Sequence, residues 1–247
     1  IIRTRKNILL LESAKLVTMT EPHIEDIYRV AKETDLDLEE NQDIITYNEE
    51  DLYDEIEDLE SQTPIQNRYS FWFMRRSKEK LSDVSYEKNI KHLGSFQTVE
   101  QFWRIYNHII RPEQLNVVTD YHLFKDGISP TWEDPANARG GKWMVRLRKG
   151  LAGRLWEELV LAVIGEQFDV GAEVCGAVLS ARFAEDIISL WNRNADNLEA
   201  TAKIRDTLRR LFRLPAFVQL EYKRHQAALA DGQSYRNADA AWRGEQD

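Results

Sequence analysis

The sequence predicts an α+β domain, an antiparallel sheet with about three helices on one face. Two observations carry this. Short runs of alternating apolar and polar residues outnumber helical periodicities, and they follow one another across turn residues with no βαβ alternation or internal repeat. After Pro64, Tyr69, Phe71 and Phe73 alternate with Ser70, Trp72 and Met74, predicting a strand buried on at least one face and a folded domain that opens near Thr63. Thr98 and Gln101 stand at capping-box spacing, and Phe102, Ile105, Tyr106 and Ile109 share one face, predicting a helix over Val99–Ile110 that stops before Pro112. Val99, Trp103 and Ile110 fall on the flank of that stripe, where a tryptophan either pads the core edge or is half exposed.

Further strands are expected around Tyr121–Phe124 and, after the Gly140-Gly141 turn, over Trp143–Arg148, with Asp126-Gly127 marking a turn between them. Trp156, Leu159, Val160, Val163 and Ile164 outline a second helix ending at Gly165, which suits a left-handed cap. Strands near Ala177–Phe183 and Ile187–Trp191 follow. A third helix over Leu198–Phe212 turns Ile204, Leu208 and Leu211 inward and stops before Pro215, and a last strand covers Phe217–Lys223. Beyond about Gln226 periodicity is lost. The expected organisation is a solvated arm over residues 1–62, a folded domain over 63–226 and a flexible tail over 227–247.

Charge is unevenly placed. From Glu33 to Glu60 the chain carries fourteen acidic residues and no basic one, a block expected to be disordered and solvated. Outside it, 33 basic residues face the remaining 28 acidic ones, so the formal charge of −9 conceals a domain of about +5. Such a domain suits a few phosphates and not a long duplex. Cys175 is the single cysteine, which excludes an intrachain disulfide and a zinc site built on several cysteines, and fits a reducing compartment. No run reaches the ~18 consecutive apolar residues of a membrane span. The first methionine, Met19, is a candidate natural start.

Period-two alternation assigns the strand faces. Lys142, Met144, Arg146 and Arg148 point one way, and Trp143, Val145 and Leu147 the other. Arg182 is set opposite Ala181 and Phe183, while Ile187, Ser189 and Trp191 share a face. No acidic residue occurs from Pro135 to Trp156, a stretch holding Arg139, Lys142, Arg146, Arg148, Lys149 and Arg154. That run reads either as a solvated edge or as a local positive potential. Five histidines without metal spacing, no nucleophile elbow and no phosphate loop argue against an enzyme and imply no cofactor or metal.

Seven segments resemble the cap-binding translation initiation factor 4E family in order and spacing across Thr63–His225: Pro-Ile-Gln-Asn-Arg-Tyr (64–69), Thr-Val-Glu-Gln-Phe-Trp (98–103), Leu-Phe-Lys-Asp-Gly-Ile (123–128), Trp-Glu-Asp (132–134), Gly-Gly-Lys-Trp (140–143), Gly-Glu-Gln-Phe (165–168) and Val-Cys-Gly-Ala-Val (174–178). Tyr69, Tyr86, the long Arg75–Ser85 loop and Arg182–Ile188 are most similar to the 4E homologous protein branch. The resemblance implies a curved sheet with a concave pocket for the 7-methylguanosine cap of mRNA. Tyr86 and Trp132 match the two rings that sandwich the base, whose positive charge adds cation–π attraction to stacking. Glu133 matches the carboxylate that accepts from the guanine N1 and N2 donors. Trp191 matches the contact to the methyl group, and Lys142 and Arg182 match phosphate contacts. Tyr86 and Ile187 stand where the main initiation factor has a tryptophan and a lysine, which implies weaker cap binding.

On the opposite face the resemblance implies that Pro64, Val99, Trp103, Glu158 and Leu161 receive a Tyr-x-x-x-x-Leu-hydrophobic helix from a partner. Glu157 replaces an apolar contact there, so repressor or decay factors are expected in preference to the initiation scaffold. The expected function is cytoplasmic, cap-dependent translational repression. The alternatives are a cap-binding initiator and an interaction module with a vestigial pocket. Tyr47–Tyr53 in the acidic arm matches the partner motif imperfectly, and either docks at Trp103 or is solvated.

Overall fold

The computed structural model describes residues 62–75, 89–115 and 118–242. Tyr86, the acidic arm and its Tyr47–Tyr53 motif lie outside the described residues. In chain order the elements are β1 (Pro64–Arg75), β2 (Lys91–Thr98), α1 (Val99–His108), β3 (Thr119–Lys125), β4 (Gly141–Arg148), α2 (Ala152–Ile164), β5 (Val174–Ala181), β6 (Glu185–Asn192), α3 (Leu198–Leu211), β7 (Leu220–Arg224), α4 (His225–Asp231) and β8 (Ala240–Trp242). The strands form one curved, open sheet in the order β2-β1-β3-β5-β6-β4-β7-β8, with antiparallel neighbours throughout.

Alternation divides the side chains of this sheet between two apolar clusters. Tyr69, Phe71, Phe73, Tyr121, Leu123, Trp143, Val145, Leu147, Leu179, Ile188 and Leu190 join Phe102 and Tyr106 of α1, Leu155 to Ile164 of α2, and Ile204 and Leu208 of α3 in the main core. The intervening positions Phe124, Val178 and Trp191 form a second cluster with Ile128 and Cys175, against which Trp132 packs. Cys175 reaches that side because the register between β5 and β6 shifts between Val174 and Gly176, an extra residue that turns it away from the core.

Helix α1 is capped by Thr98, whose side chain accepts from the Gln101 N–H at 3.3 Å. Trp103, expected at the core edge or half exposed, is buried at 8% exposure, its indole set edge-on to Phe102 and Tyr106. Helix α2 ends at Gly165 with φ −87°, and the left-handed residue is its neighbour Glu166 at φ 50°. The carboxylate of Glu166 explains this: it accepts from the Tyr69 hydroxyl at 2.7 Å and from Asn67 Nδ2 at 2.6 Å, fastening the helix end to β1.

The largest difference from expectation is at the C-terminal end. Residues read as a loose tail contain α4 and β8, and β8 pairs with β7 through Leu220–Trp242 and Tyr222–Ala240. Trp242 packs against the core and receives the guanidinium groups of Arg205 and Arg209 over its ring at 4.4 and 4.9 Å.

At Gly176 a Cβ would lie 2.4 Å from the Leu123 carbonyl oxygen and 2.5 Å from the Phe124 ring, so β3 and β5 pair tightly there because this position has no side chain. Gly176→Ala is expected to destabilise the domain by about 2–3 kcal/mol, measured by urea denaturation.

Candidate functional site

The turn between β3 and β4 places two of the expected site residues. Asp134 accepts from the backbone N–H groups of Ser129 and Ala136, each at 2.8 Å. Asn137, fully buried, donates from Nδ2 to the Ser129 and Thr131 carbonyls at 2.8 and 2.7 Å. The Cys175 thiol reaches the Ala136 carbonyl at 3.5 Å. These bonds fix the irregular segment against β5 and present Trp132 half-buried on the second cluster, with the Glu133 side chain exposed. Asp134 and Asn137 were missed as organisers, although Ser-Pro-Thr-Trp-Glu-Asp-Pro carries the turn chemistry that signals them.

Trp191 lies on the same side of the sheet, 5% exposed, edge-on to Phe124 at 5.3 Å and tilted against His225 at 4.1 Å. Lys142 is opposite Trp191 in the β4–β6 register, and its Nζ stands 5.5 Å from the indole centroid. The structure therefore gathers Trp132, Trp191 and Lys142 on the face opposite α1, α2 and α3, as alternation requires. Tyr86 falls outside the described residues.

The cations are less open than the sequence implies. Lys142 is 2% exposed and donates to Ser234 Oγ at 2.7 Å. Arg182 pairs with the buried Asp120 carboxylate at 2.7 Å and donates to the Tyr235 hydroxyl at 2.6 Å. Both cations lie over the Tyr235 ring, at 5.1 and 5.2 Å from its centroid. Arg146 bonds Glu185 at 2.7 Å and also the Tyr235 carbonyl, while Lys149 bonds Asp186 at 2.6 Å. Arg154 belongs to α2, where it pairs with Glu158. The basic stretch is thus divided between elements, with Arg146 and Lys149 paired to acids distant in sequence and Lys142 turned to a serine hydroxyl. Ser234 and Tyr235 carried no sequence signal, because the segment that holds them reads as tail, and His225, inside the expected domain, was singled out only as lacking metal spacing.

Ile187 is 3% exposed, opposite Arg146 on one neighbouring strand and Ser180 on the other. On the opposite face, the Val99 N–H donates to the Thr63 carbonyl at 2.9 Å, joining the start of α1 to the residue before Pro64. Val99 and Leu161 are partly buried against the main core, Pro64 is exposed and Trp103 is covered. Glu157 pairs with Arg111 at 3.1 Å.

The family model for eukaryotic initiation factor 4E matches residues 64–240. The chain belongs to the eukaryotic initiation factor 4E family. Its similarity to the translation initiation factor NCBP of Oryza sativa subsp. japonica is 51% identity over 174 residues, covering 70% of this chain and 76% of the relative. It is 50% identical over 173 residues to initiation factor 4E-4 of Caenorhabditis elegans, covering 70% and 82%, and 38% identical over 180 residues to initiation factor 4E of Bos taurus, covering 70% and 81%. Among solved structures it is similar to a C. elegans eIF4E-3 in complex with the 4E-binding protein Mextli and a cap analog, with TM-score 0.66, 36% identity and coverage of 73% of this chain and 99% of that one. An Ascaris suum eIF4E-3 bound to an m2,2,7G cap gives TM-score 0.64 at 32% identity, covering 73% and 98%. Initiation factor 4E proteins are cap-binding factors and not enzymes. The match to residue 240 agrees with the ordered α4 and β8. No described helix of this 4E domain is long and apolar enough to cross a membrane.

Two buried groups on the site face give measurable consequences. Burial pushes the Cys175 thiol up to about 12, so in the native chain it is expected to resist thiol reagents at pH 8 and to react on unfolding, as a chromogenic disulfide reagent would register. Burial first, and the Lys142 ammonium second, hold His225 well below its ordinary value of 6.5. The unfolded chain then takes up a proton that the folded chain refuses as pH falls below about 6.5. Stability is complete above that pH and declines below it, by up to about 1.4 kcal/mol per pH unit from this group. Urea denaturation between pH 7.5 and 5.5 is expected to show a weaker decline in His225→Asn.

Proposed function

We propose that this 4E-family chain binds the 7-methylguanosine cap of mRNA between Trp132 and Tyr86, and acts in the cytoplasm as a translational repressor with a partner on the helical face. The observation that carries the cap reading is the fixed turn between β3 and β4, which offers an indole face and an exposed carboxylate in adjacent positions beside Trp191. A methylated guanine is a cation with a flat face and two N–H donors. An aromatic ring with a neighbouring acceptor carboxylate is complementary to both features. Lys142 and Arg182 supply charge for the phosphates on the same side of the sheet. The cap-bound eIF4E-3 structures of C. elegans and A. suum support the assignment by similarity.

Two features support repression. Tyr86 offers a smaller stacking face than a tryptophan, and Ile187 places a buried apolar side chain where a cation would strengthen phosphate binding. On the helical face, the Arg111–Glu157 ion pair changes what α2 presents to a partner helix. Pro64, Val99, Glu158 and Leu161 form the proposed docking surface, with Trp103 buried beneath it, and the Mextli complexes of C. elegans eIF4E-3 support a protein partner in this family. The initiation-factor names of the relatives favour the second reading, recruitment of the initiation scaffold. Tethering the chain to a reporter mRNA separates the two, since repression lowers reporter output and initiation raises it.

Retention on 7-methylguanosine resin, competed by the methylated and not by the unmethylated nucleotide, tests the ligand. Trp132→Ala and Glu133→Ala are each expected to weaken binding by about 10- to 100-fold, from lost stacking and lost charge-assisted hydrogen bonds. Ile187→Lys is expected to tighten binding of the triphosphate cap analogue several-fold. No gain, or an affinity already equal to that of the main initiation factor measured alongside, removes the argument for weak binding.

A further inference from the structure

The two cations assigned to the cap phosphates are already held by oxygen atoms of the segment that joins α4 to β8. Ser234 Oγ accepts from Lys142 at 2.7 Å, the Tyr235 hydroxyl accepts from Arg182 at 2.6 Å, and the Tyr235 carbonyl accepts from Arg146. The Tyr235 hydroxyl also bonds Ser180 Oγ at 2.7 Å, and its ring lies between Lys142 and Arg182. At 2% exposure, Lys142 cannot meet a phosphate from solution while Ser234 and Tyr235 stay in place.

We propose that Ser234 and Tyr235 occupy the phosphate subsite of the cap, and that Tyr235 is a specificity-determining residue that sets how much a phosphate chain adds to cap binding. The inference rests on the cap reading above and assigns residues outside its expected site. A phosphate oxygen makes a charge-assisted bond with Lys or Arg that is stronger than a hydroxyl or carbonyl makes with the same cation. A phosphate chain therefore displaces the segment, but gains only the difference between the two sets of bonds, together with the loss of two cation–π contacts.

The segment has the mechanics for such an exchange. Left-handed residues bracket it, Gly232 at φ 62° and Asn237 at φ 55°. Anchors lie near both ends. The buried Lys223 holds Asp231 at 2.7 Å before it, and the Asp239 N–H bonds the Tyr222 carbonyl at 2.9 Å after it. Between those anchors the Gln233 N–H and the Asn237 side-chain amide donate to Asp231 and the Arg236 carbonyl accepts from Lys223, so displacement is confined to Ser234 and Tyr235. Ser234 and Tyr235 bond the phosphate cations and Ser180, and neither belongs to the cluster on which Trp132 packs, so 7-methylguanosine without phosphates reports on the base pocket separately.

The test titrates the full chain with 7-methylguanosine nucleoside and with its 5′-triphosphate, in the unaltered protein and in Tyr235→Ala and Tyr235→Phe. The ratio of triphosphate to nucleoside affinity is expected to rise by about 3- to 10-fold in Tyr235→Ala, and by less in Tyr235→Phe, which keeps the ring and loses the hydroxyl. Nucleoside affinity is expected to stay within about twofold. A ratio unchanged or lowered in both variants, with nucleoside binding retained, overturns the inference and leaves the cap reading intact. Absence of nucleoside binding by the unaltered chain overturns both. Should Tyr235→Ala unfold, the direction of change in Tyr235→Phe decides.

Discussion

The register of the central strands β3, β5, β6 and β4 governs everything else in this molecule. Strands β3, β5 and β6 carry residues of both clusters, and β4 sets Trp143, Val145 and Leu147 in the main core with Lys142 on the other side, so a slip of one position in any of them would send Leu190 or Val145 out of the core and bring Trp191 or Lys142 into it. The register is set by the main core, whose large rings from β1 and β3 fit against α1 and α2. The opposite face takes its arrangement as a consequence. Trp191 is placed by the burial of Ile188 and Leu190 beside it, before any ligand is considered. Where the regular pleat would aim a residue the wrong way, as at Cys175, a single extra residue in β5 corrects it.

Much of this was legible in the chain. The alternation of Tyr69, Phe71 and Phe73, and of Trp143, Val145 and Leu147, gave the correct faces because each strand buries one side deeply in a helical layer. Strand β2 went unrecognised. Its Lys-His-Leu-Gly-Ser-Phe-Gln-Thr sequence lacks sustained alternation, Gly94 sits at φ 156°, and its pairing with β1 is interrupted by two register shifts. Edge strand β8 is three residues long and gains its place from Trp242 against α3, a contact that no local window contains. Helix α4 has seven residues, too few for a periodic signal.

The placement of the expected site residues was legible, and their exposure less so. Trp132, Trp191 and Lys142 come together as the alternation and the family resemblance imply. The openness of the cations was misjudged, because the side chains that cover them come from a stretch whose Ala, Asp and Gly content resembles a tail. Charge runs share this weakness. Arg146, Lys149 and Arg182 look unopposed along the chain, yet each meets a carboxylate from another strand or from the adjoining hairpin. Pairing of this kind is a tertiary property, and one-dimensional charge counts overstate the potential that survives it.

Ile187 and Ile188 are neighbours on β6 that answer to different demands. Ile188 belongs to the main core, while Ile187 pairs across the strands with Arg146 and Ser180 on the other face. A substitution at 187 can therefore change the chemistry of the face that carries Trp191 while the core contact at 188 stays untouched. The pleat thereby interleaves two separable tasks in one strand, core packing at one residue and the chemistry of the open face at the next.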